Sequence, residues 1–337
     1  MTEERGMIEN RLLALAVARL SFLRCHEKVL VSEVVLSEAF FASLRLGDVE
    51  QIVGRRVRTS HFDPAVILRE AENDSFLLSA TDAKVVAVVQ AAYPPQLREI
   101  FDPPFLLFVR GALPSPNDPQ VAIVGTRAPT SAGRDAARAL AAECADSGVP
   151  VVSGLALGVD GEAHAGAVDA SGATVAVLGS GIDSIYPRAH KSLAARILEG
   201  GGALVSEYPP RTEPRKYHFP ARNRIISGLS RSVVVVEAPE RSGALITADY
   251  ALDQGRDLFV HAVCKASSKG EGGRRLMVDG APAVRAFRDI AHDWGHAAMV
   301  ETGMTAPEVA TSHGEPVRPA TSPGVHVARA LQRELDL

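Results

Sequence analysis

Val121-Ala-Ile-Val-Gly-Thr-Arg127, then Val151-Val-Ser-Gly-Leu-Ala156, then Val175-Ala-Val-Leu-Gly-Ser-Gly181 decide how the chain folds. Each is a short β-branched run that stops at glycine, and each is followed by a stretch long enough for a helix. Six such strands are expected, at 121–124, 151–153, 174–178, 203–205, 232–237 and 258–260. They are almost wholly apolar, as strands covered on both faces are. Helix-length segments at 133–146, 161–170, 189–198, 223–229 and 244–254 alternate with them. Strand, crossover helix and strand, repeated, specify right-handed βαβ units and an α/β fold with a doubly wound, mostly parallel sheet. Ligands of such sheets bind at the carboxyl ends of the strands.

Outward from this centre the pattern changes. Residues 8–70 carry helical periodicity: Leu12, Leu13, Ala16, Val17 and Leu20 share one face. A small helical domain is expected there. Tyr93-Pro-Pro95 and Asp102-Pro-Pro104 then interrupt any helix, and Phe105-Leu-Leu-Phe-Val109 follows as a strand-like run. Beyond about residue 290, the stretch 301–324 is rich in Thr, Pro, Ser and Gly, which favours a flexible linker, and 325–337 has the length of three helical turns.

Composition bounds the rest. The chain has 337 residues and 46% hydrophobic content, enough for about two domains with a sizeable core. No apolar run approaches the roughly 20 residues that span a bilayer, so a soluble, cytoplasmic protein with no membrane partner is expected. Cys25, Cys144 and Cys264 are odd in number and widely spaced, which indicates neither a disulfide framework nor a metal site. The net charge, 36 − 40 = −4, argues at face value against nucleic acid.

Local charge reverses that argument. Residues 211–231 hold Arg211, Arg215, Lys216, Arg222, Arg224 and Arg231 against Glu213 alone, a local 6 − 1 = +5. Tyr208, Tyr217 and Phe219 are interleaved with these cations. Cations neutralise phosphates and rings stack on unpaired bases, which is what single-stranded nucleic acid offers and a duplex does not. The strand-end loops carry Gly125, Gly154, Gly179 and Gly181, where backbone can approach a phosphate at a helix N-terminus, although tight turns need glycine in any case. Gly179-x-Gly181 lacks the third glycine of a dinucleotide fingerprint, and Glu207 is either a ribose-binding acid or a helix cap. His164, Asp160 and Glu162 cluster after the second strand but read as a packing histidine and helix caps. Catalytic residues, a resident metal and a cofactor are not expected.

Val121-Ala-Ile-Val-Gly-Thr-Arg127, Gly158-Val-Asp160, Ser206-Glu-Tyr-Pro209, Phe219-Pro-Ala-Arg-Asn-Arg-Ile-Ile226 and Val235-Val-Glu-Ala238 with Ser242-Gly-Ala-Leu-Ile-Thr247, taken in order, resemble the DNA-processing protein A (DprA/Smf) family over about residues 90–282. The resemblance implies an extended Rossmann-like domain at 119–290, preceded by a helical, SAM-like domain at 1–75 and a linker with lead-in strand at 76–118. A flexible tail at 291–337, without a clear winged-helix domain, would follow. It further implies a non-enzymatic, homodimeric mediator that binds and protects single-stranded DNA and loads the RecA recombinase in natural transformation. The expected DNA-binding residues are Gly125, Thr126, Arg127, Gly154, Gly181, Lys216, Phe219, Arg222, Asn223, Arg224, Ser242 and Gly243; of these the resemblance implies Arg127, Lys216, Phe219 and the Arg222-Asn223-Arg224 run as lining the family's single-strand pocket. Phe219 would stack a base, while Arg127, Lys216 and Arg222 would hold phosphates. The segment 261–275 departs from the family's Val-Pro-Gly and Gly-x-Asn pattern, though its Arg274 and Arg275 add positive charge. A rival reading is a nucleotide-processing phosphoribohydrolase, but 241–249 lacks that class's paired glycines and catalytic glutamate.

Overall fold

A computed structural model describes residues 10–115 and 118–295. Among the described residues five helices come first: α1 (Arg11–Ala18), α2 (Cys25–Val34), α3 (Glu38–Ser43), α4 (Leu46–Val53) and α5 (Pro64–Ser79). Residues then alternate between strand and helix: β1 (Lys84–Ala87), α6 (Pro95–Arg98), β2 (Leu106–Gly111), β3 (Val121–Val124), α7 (Ser131–Asp146), β4 (Val151–Ser153) and α8 (Val159–Asp169). They continue as β5 (Thr174–Val177), α9 (Lys191–Glu199), β6 (Ala203–Ser206), α10 (His218–Gly228), β7 (Ser232–Val235) and α11 (Gly243–Asp253). The last are β8 (Asp257–His261), α12 (Glu271–Val278), β9 (Ala283–Val284) and α13 (Phe287–Asp293).

The described strands form one sheet in the order β1-β2-β6-β5-β4-β3-β7-β8-β9. From β6 to β9 every pairing is parallel, whereas β1–β2 and β2–β6 are antiparallel. All six strands expected from the apolar runs are present, and the run at 105–109 becomes β2. The antiparallel edge strand β1 and the two-residue β9 are additions, and β1 arises inside the segment read as linker. Residues 296–337, including the expected flexible tail and its short helix, lie outside the described residues.

Successive side chains along the central strands divide between the two faces, as a pleated strand requires. Val121, Ile123, Val234 and Val236 join the core beneath α7, α8 and α13, while Ala122, Val124, Val233 and Val235 join the core on the opposite face. The second core continues into the opening helices through Leu13, Leu15, Val31, Phe41 and Leu78. Helix starts are set locally. Asp63 caps α5 ahead of Pro64, Thr130 caps α7, and Ser242 caps α11. No helix among the described residues is long and apolar enough to cross a membrane.

His164, on α8, is wholly buried, as its reading as a packing histidine implies. Its Nδ1 lies 2.8 Å from the Thr174 hydroxyl, which itself donates to Val151 O. Burial, helped by the charges of His190 and Arg222, pulls its pKa from 6.5 down to about 3. The fold therefore requires the neutral ring. The stability this contributes is complete above pH 6.5 and is lost as pH falls from there towards 3. The urea midpoint is expected to fall between pH 7 and pH 4.5, and His164→Gln to make that fall shallower; an unchanged fall would exonerate His164.

Candidate nucleic-acid interface

A cavity of about 460 Å³ opens where the chain leaves β3 and β7. The loop after β3 supplies Gly125, Thr126 and Arg127. The loop after β7 and the first turns of α11 supply Pro239, Arg241, Ser242, Gly243 and Thr247, and α10 closes the remaining side with Phe219, Pro220, Arg222 and Asn223. Lys216 stands at the rim, just before α10 begins. Ser242 accepts from Ala244 N, 3.3 Å away, so α11 starts at the cavity wall. Asn223 reaches the same wall and donates to Gly243 O at 3.2 Å.

Phe219 is the centre of the site. The Arg127 guanidinium lies 5.3 Å from its ring centroid, within cation–π range. Tyr186 approaches with centroids 5.5 Å apart and planes tilted by 43°. Gly179 lets the ring settle against the sheet, since a Cβ there would lie 3.0 Å from Phe219 Cδ1. An aromatic face, an exposed guanidinium and an exposed ammonium thus share one opening.

Arg222 sits deeper. It is 3% exposed and donates through Nη1 to Val177 O. Burial lowers its pKa to about 10, opposed by Asp160. Asp160 is itself buried at the cavity floor, where burial raises its carboxyl pKa and the Arg222 charge counteracts the rise. Arg222 therefore contributes field at the floor rather than a mobile cation at the surface.

Nine of the twelve residues expected to bind DNA line this cavity: Gly125, Thr126, Arg127, Lys216, Phe219, Arg222, Asn223, Ser242 and Gly243. Three do not. Gly154 makes room for Arg222, whose Nη1 would lie 2.3 Å from a Cβ at that position, and Gly181 packs against Pro209 O at 2.6 Å on the same criterion. Arg224 turns to the opposite side of α10 and pairs with Glu207 at 2.6 Å and Asp102 at 3.5 Å. Burial alone would lower its pKa; Glu207 and Asp102 hold it above the ordinary arginine value. Glu207 is thus a partner for Arg224 rather than a helix cap.

Arg274 and Arg275 also stay out of the cavity lining. Arg274 donates to Cys264 O and Ser267 O, and Arg275 faces Asp279. Conversely, Asp160, Arg241 and Tyr186 belong to the site or its aromatic pair without having been singled out for binding. Arg241 carried a signal, a cation immediately before the Ser242-Gly243 helix start. Cys144 and Cys264 are buried and Cys25 is half-buried, all three free. Among the described residues no group of three His, Cys, Asp or Glu side chains is placed to hold a metal.

The sequence profile of the family described as DNA recombination-mediator protein A matches residues 84–295. Protein Smf of Escherichia coli is 40% identical over 276 residues, spanning 77% of this chain and 74% of that protein. The X-ray structure of DNA processing protein A from Streptococcus pneumoniae superposes with a TM-score of 0.66 at 33% identity, covering 87% of this chain and 98% of that one. DNA processing protein A from Helicobacter pylori, whose structure is described for its single-stranded DNA binding mode, gives a TM-score of 0.57 at 29% identity over 64% of this chain and 97% of that one. With its nine-stranded, mostly parallel sheet and this cavity at the strand ends, the chain belongs to the DNA recombination-mediator protein A (DprA/Smf) family.

Proposed function

We propose that the cavity holds single-stranded DNA, with Phe219 stacking a base while Arg127 and Lys216 neutralise neighbouring phosphates. The observation that carries this reading is the Phe219 ring beneath the Arg127 guanidinium at a cavity mouth that also bears Lys216. A stacking face flanked by cations suits unpaired bases, and a duplex presents no base faces to it. The Helicobacter pylori relative's described single-strand binding supports the same assignment. Membership in a family of recombination mediators supports the finer role: a non-enzymatic, cytoplasmic homodimer that protects an incoming strand and loads RecA during natural transformation. The rival hydrolase reading gains nothing from the geometry. Asp249, the acid of the segment 241–249, is exposed on α11 and does not line the cavity.

Titration of labelled oligo(dT) and of a matched duplex at two salt concentrations tests the proposal. Salt-sensitive binding confined to the single strand is expected, and equal or absent binding would overturn it. Phe219→Ala should weaken oligo(dT) binding roughly 5- to 150-fold, since stacking contributes about 1–3 kcal/mol per base. Arg127→Ala and Lys216→Ala should each lower the slope of log K against log salt by about 0.7, the value for one phosphate contact on a single strand.

Arg224→Ala separates the two arginines of the Arg-Asn-Arg run. It leaves Glu207 largely buried without its partner, so a stability loss of about 2–3 kcal/mol is expected, somewhat below that of a fully buried pair. Its oligo(dT) affinity, measured at a temperature where the variant remains folded, should stay within about twofold of wild type, because a side chain away from the cavity adds independently of those within it. A tenfold loss would place Arg224 on the DNA path after all.

A further inference from the structure

Glu237 lies just beyond the end of β7, is wholly buried, and does not line the cavity. Four hydrogen bonds nevertheless connect it to the loop that carries Arg127 and to what lies beside that loop. Its backbone oxygen accepts from Thr126 N at 2.7 Å. Its Oε2 accepts from Thr130 N at 2.8 Å, and its Oε1 from Thr130 Oγ1 at 2.7 Å. Thr130 Oγ1 in turn accepts from Gly133 N at 3.1 Å, closing the first turn of α7. The Ser267 hydroxyl, from the loop after β8, donates to Oε1 as well.

Two glycines admit this arrangement. A Cβ at Gly125 would lie 2.9 Å from Glu237 O, and one at Gly133 would lie 2.2 Å from Oε2. Burying a carboxyl group is costly unless its oxygens are hydrogen-bonded, and here both are. Capping α7 needs only Thr130, which already accepts from Gly133 N. The carboxylate adds a tether on one side of Arg127, at Thr130, and the backbone carbonyl adds one on the other side, at Thr126. Ser267 comes from the segment 261–275 that departs from the family pattern, so this corner braces Glu237 rather than lining the cavity.

We propose that Glu237 is a positioning residue for strand binding, fixing the loop 125–130 so that Arg127 is held over Phe219. The proposal rests on the reading that Arg127 and Phe219 hold the strand. It acts through Arg127 alone and makes no contact with DNA.

A double-mutant cycle on oligo(dT) affinity tests it, with melting temperatures recorded for every variant. Glu237→Ala is expected to weaken binding by roughly tenfold, within the range by which contacting residues couple. In an Arg127→Ala background the same change should weaken binding less than about twofold, because the residue it positions is gone. Glu237→Gln should retain near-wild-type affinity: its oxygen accepts from Thr130 N while its amide donates to the two hydroxyls. A purely structural role would give equal losses in both backgrounds and would sink the proposal, as would wild-type affinity for Glu237→Ala. Should Arg127→Ala itself bind normally, the cavity reading fails at Arg127 and this proposal falls with it. If Glu237→Ala does not fold, Thr130→Ser, which keeps the hydroxyl's cap on Gly133 N, serves as the control for Thr130→Ala, which removes both that cap and the hydroxyl link to Glu237; the pair enters the same cycle and is judged in the same way.

Discussion

The whole site depends on the position of β3 in the sheet. β3 has β4 on one side and β7 on the other, so the chain runs outward through β4, β5 and β6 and then crosses back to lay down β7 and β8. Right-handed crossovers place the connecting helices on opposite faces in the two halves. The loops leaving β3 and β7 therefore diverge, and a crevice opens between them at the carboxyl ends of two adjacent strands. Because Val124 is in register with Val235, Thr126 and Glu237 emerge side by side, and Thr126 N donates to Glu237 O. Both loops then open helices towards the crevice, α7 at Thr130 and α11 at Ser242. The cavity, its cation-bearing loop and the buried carboxylate that braces the loop all follow from one strand order.

Electrostatics within that crevice differ from the formal sum over 211–231. Arg224 is committed to Glu207 and Asp102, and Arg231 lies 4.0 Å from Asp257 and 4.7 Å from the Trp294 ring centroid. Arg222 is buried. The exposed cations in the cavity lining are instead Arg127, Lys216 and Arg241, drawn from three separate segments. Of these three only Lys216 lies within 211–231. An arginine's formal charge says nothing of whether an acid elsewhere in the chain has already taken it, and Glu207 lies just outside the counted window.

The central strands were legible because burial on both faces leaves a continuous apolar run, a pattern that needs no partner to be read. β1 escaped because Lys84-Val-Val-Ala is short, begins with an exposed lysine and is only half-covered. On α10 the site was legible at Phe219, Arg222 and Asn223, since positions three and four apart share a helix face. Arg224 follows Arg222 by two residues, about 200° around the helix, and so faces Glu207 instead. Tyr186 and Arg241 reach the site from other loops. Their placement depends on tertiary approach, which no local spacing encodes.

Glycine shows the same limit from another side. Sequence reading treats a strand-end glycine as a place where backbone meets a ligand. A Cβ at Gly154 would instead meet the Arg222 guanidinium, and one at Gly181 would meet Pro209 O and Arg211 N. Their closeness is internal, and the ligand they admit is the protein itself. At Gly243 nothing lies within 4 Å of the missing Cβ, although the residue lines the cavity at the start of α11. Crowding therefore marks a glycine retained for packing. An open glycine at a helix N-terminus in a cavity wall instead leaves backbone N–H groups accessible to a phosphate.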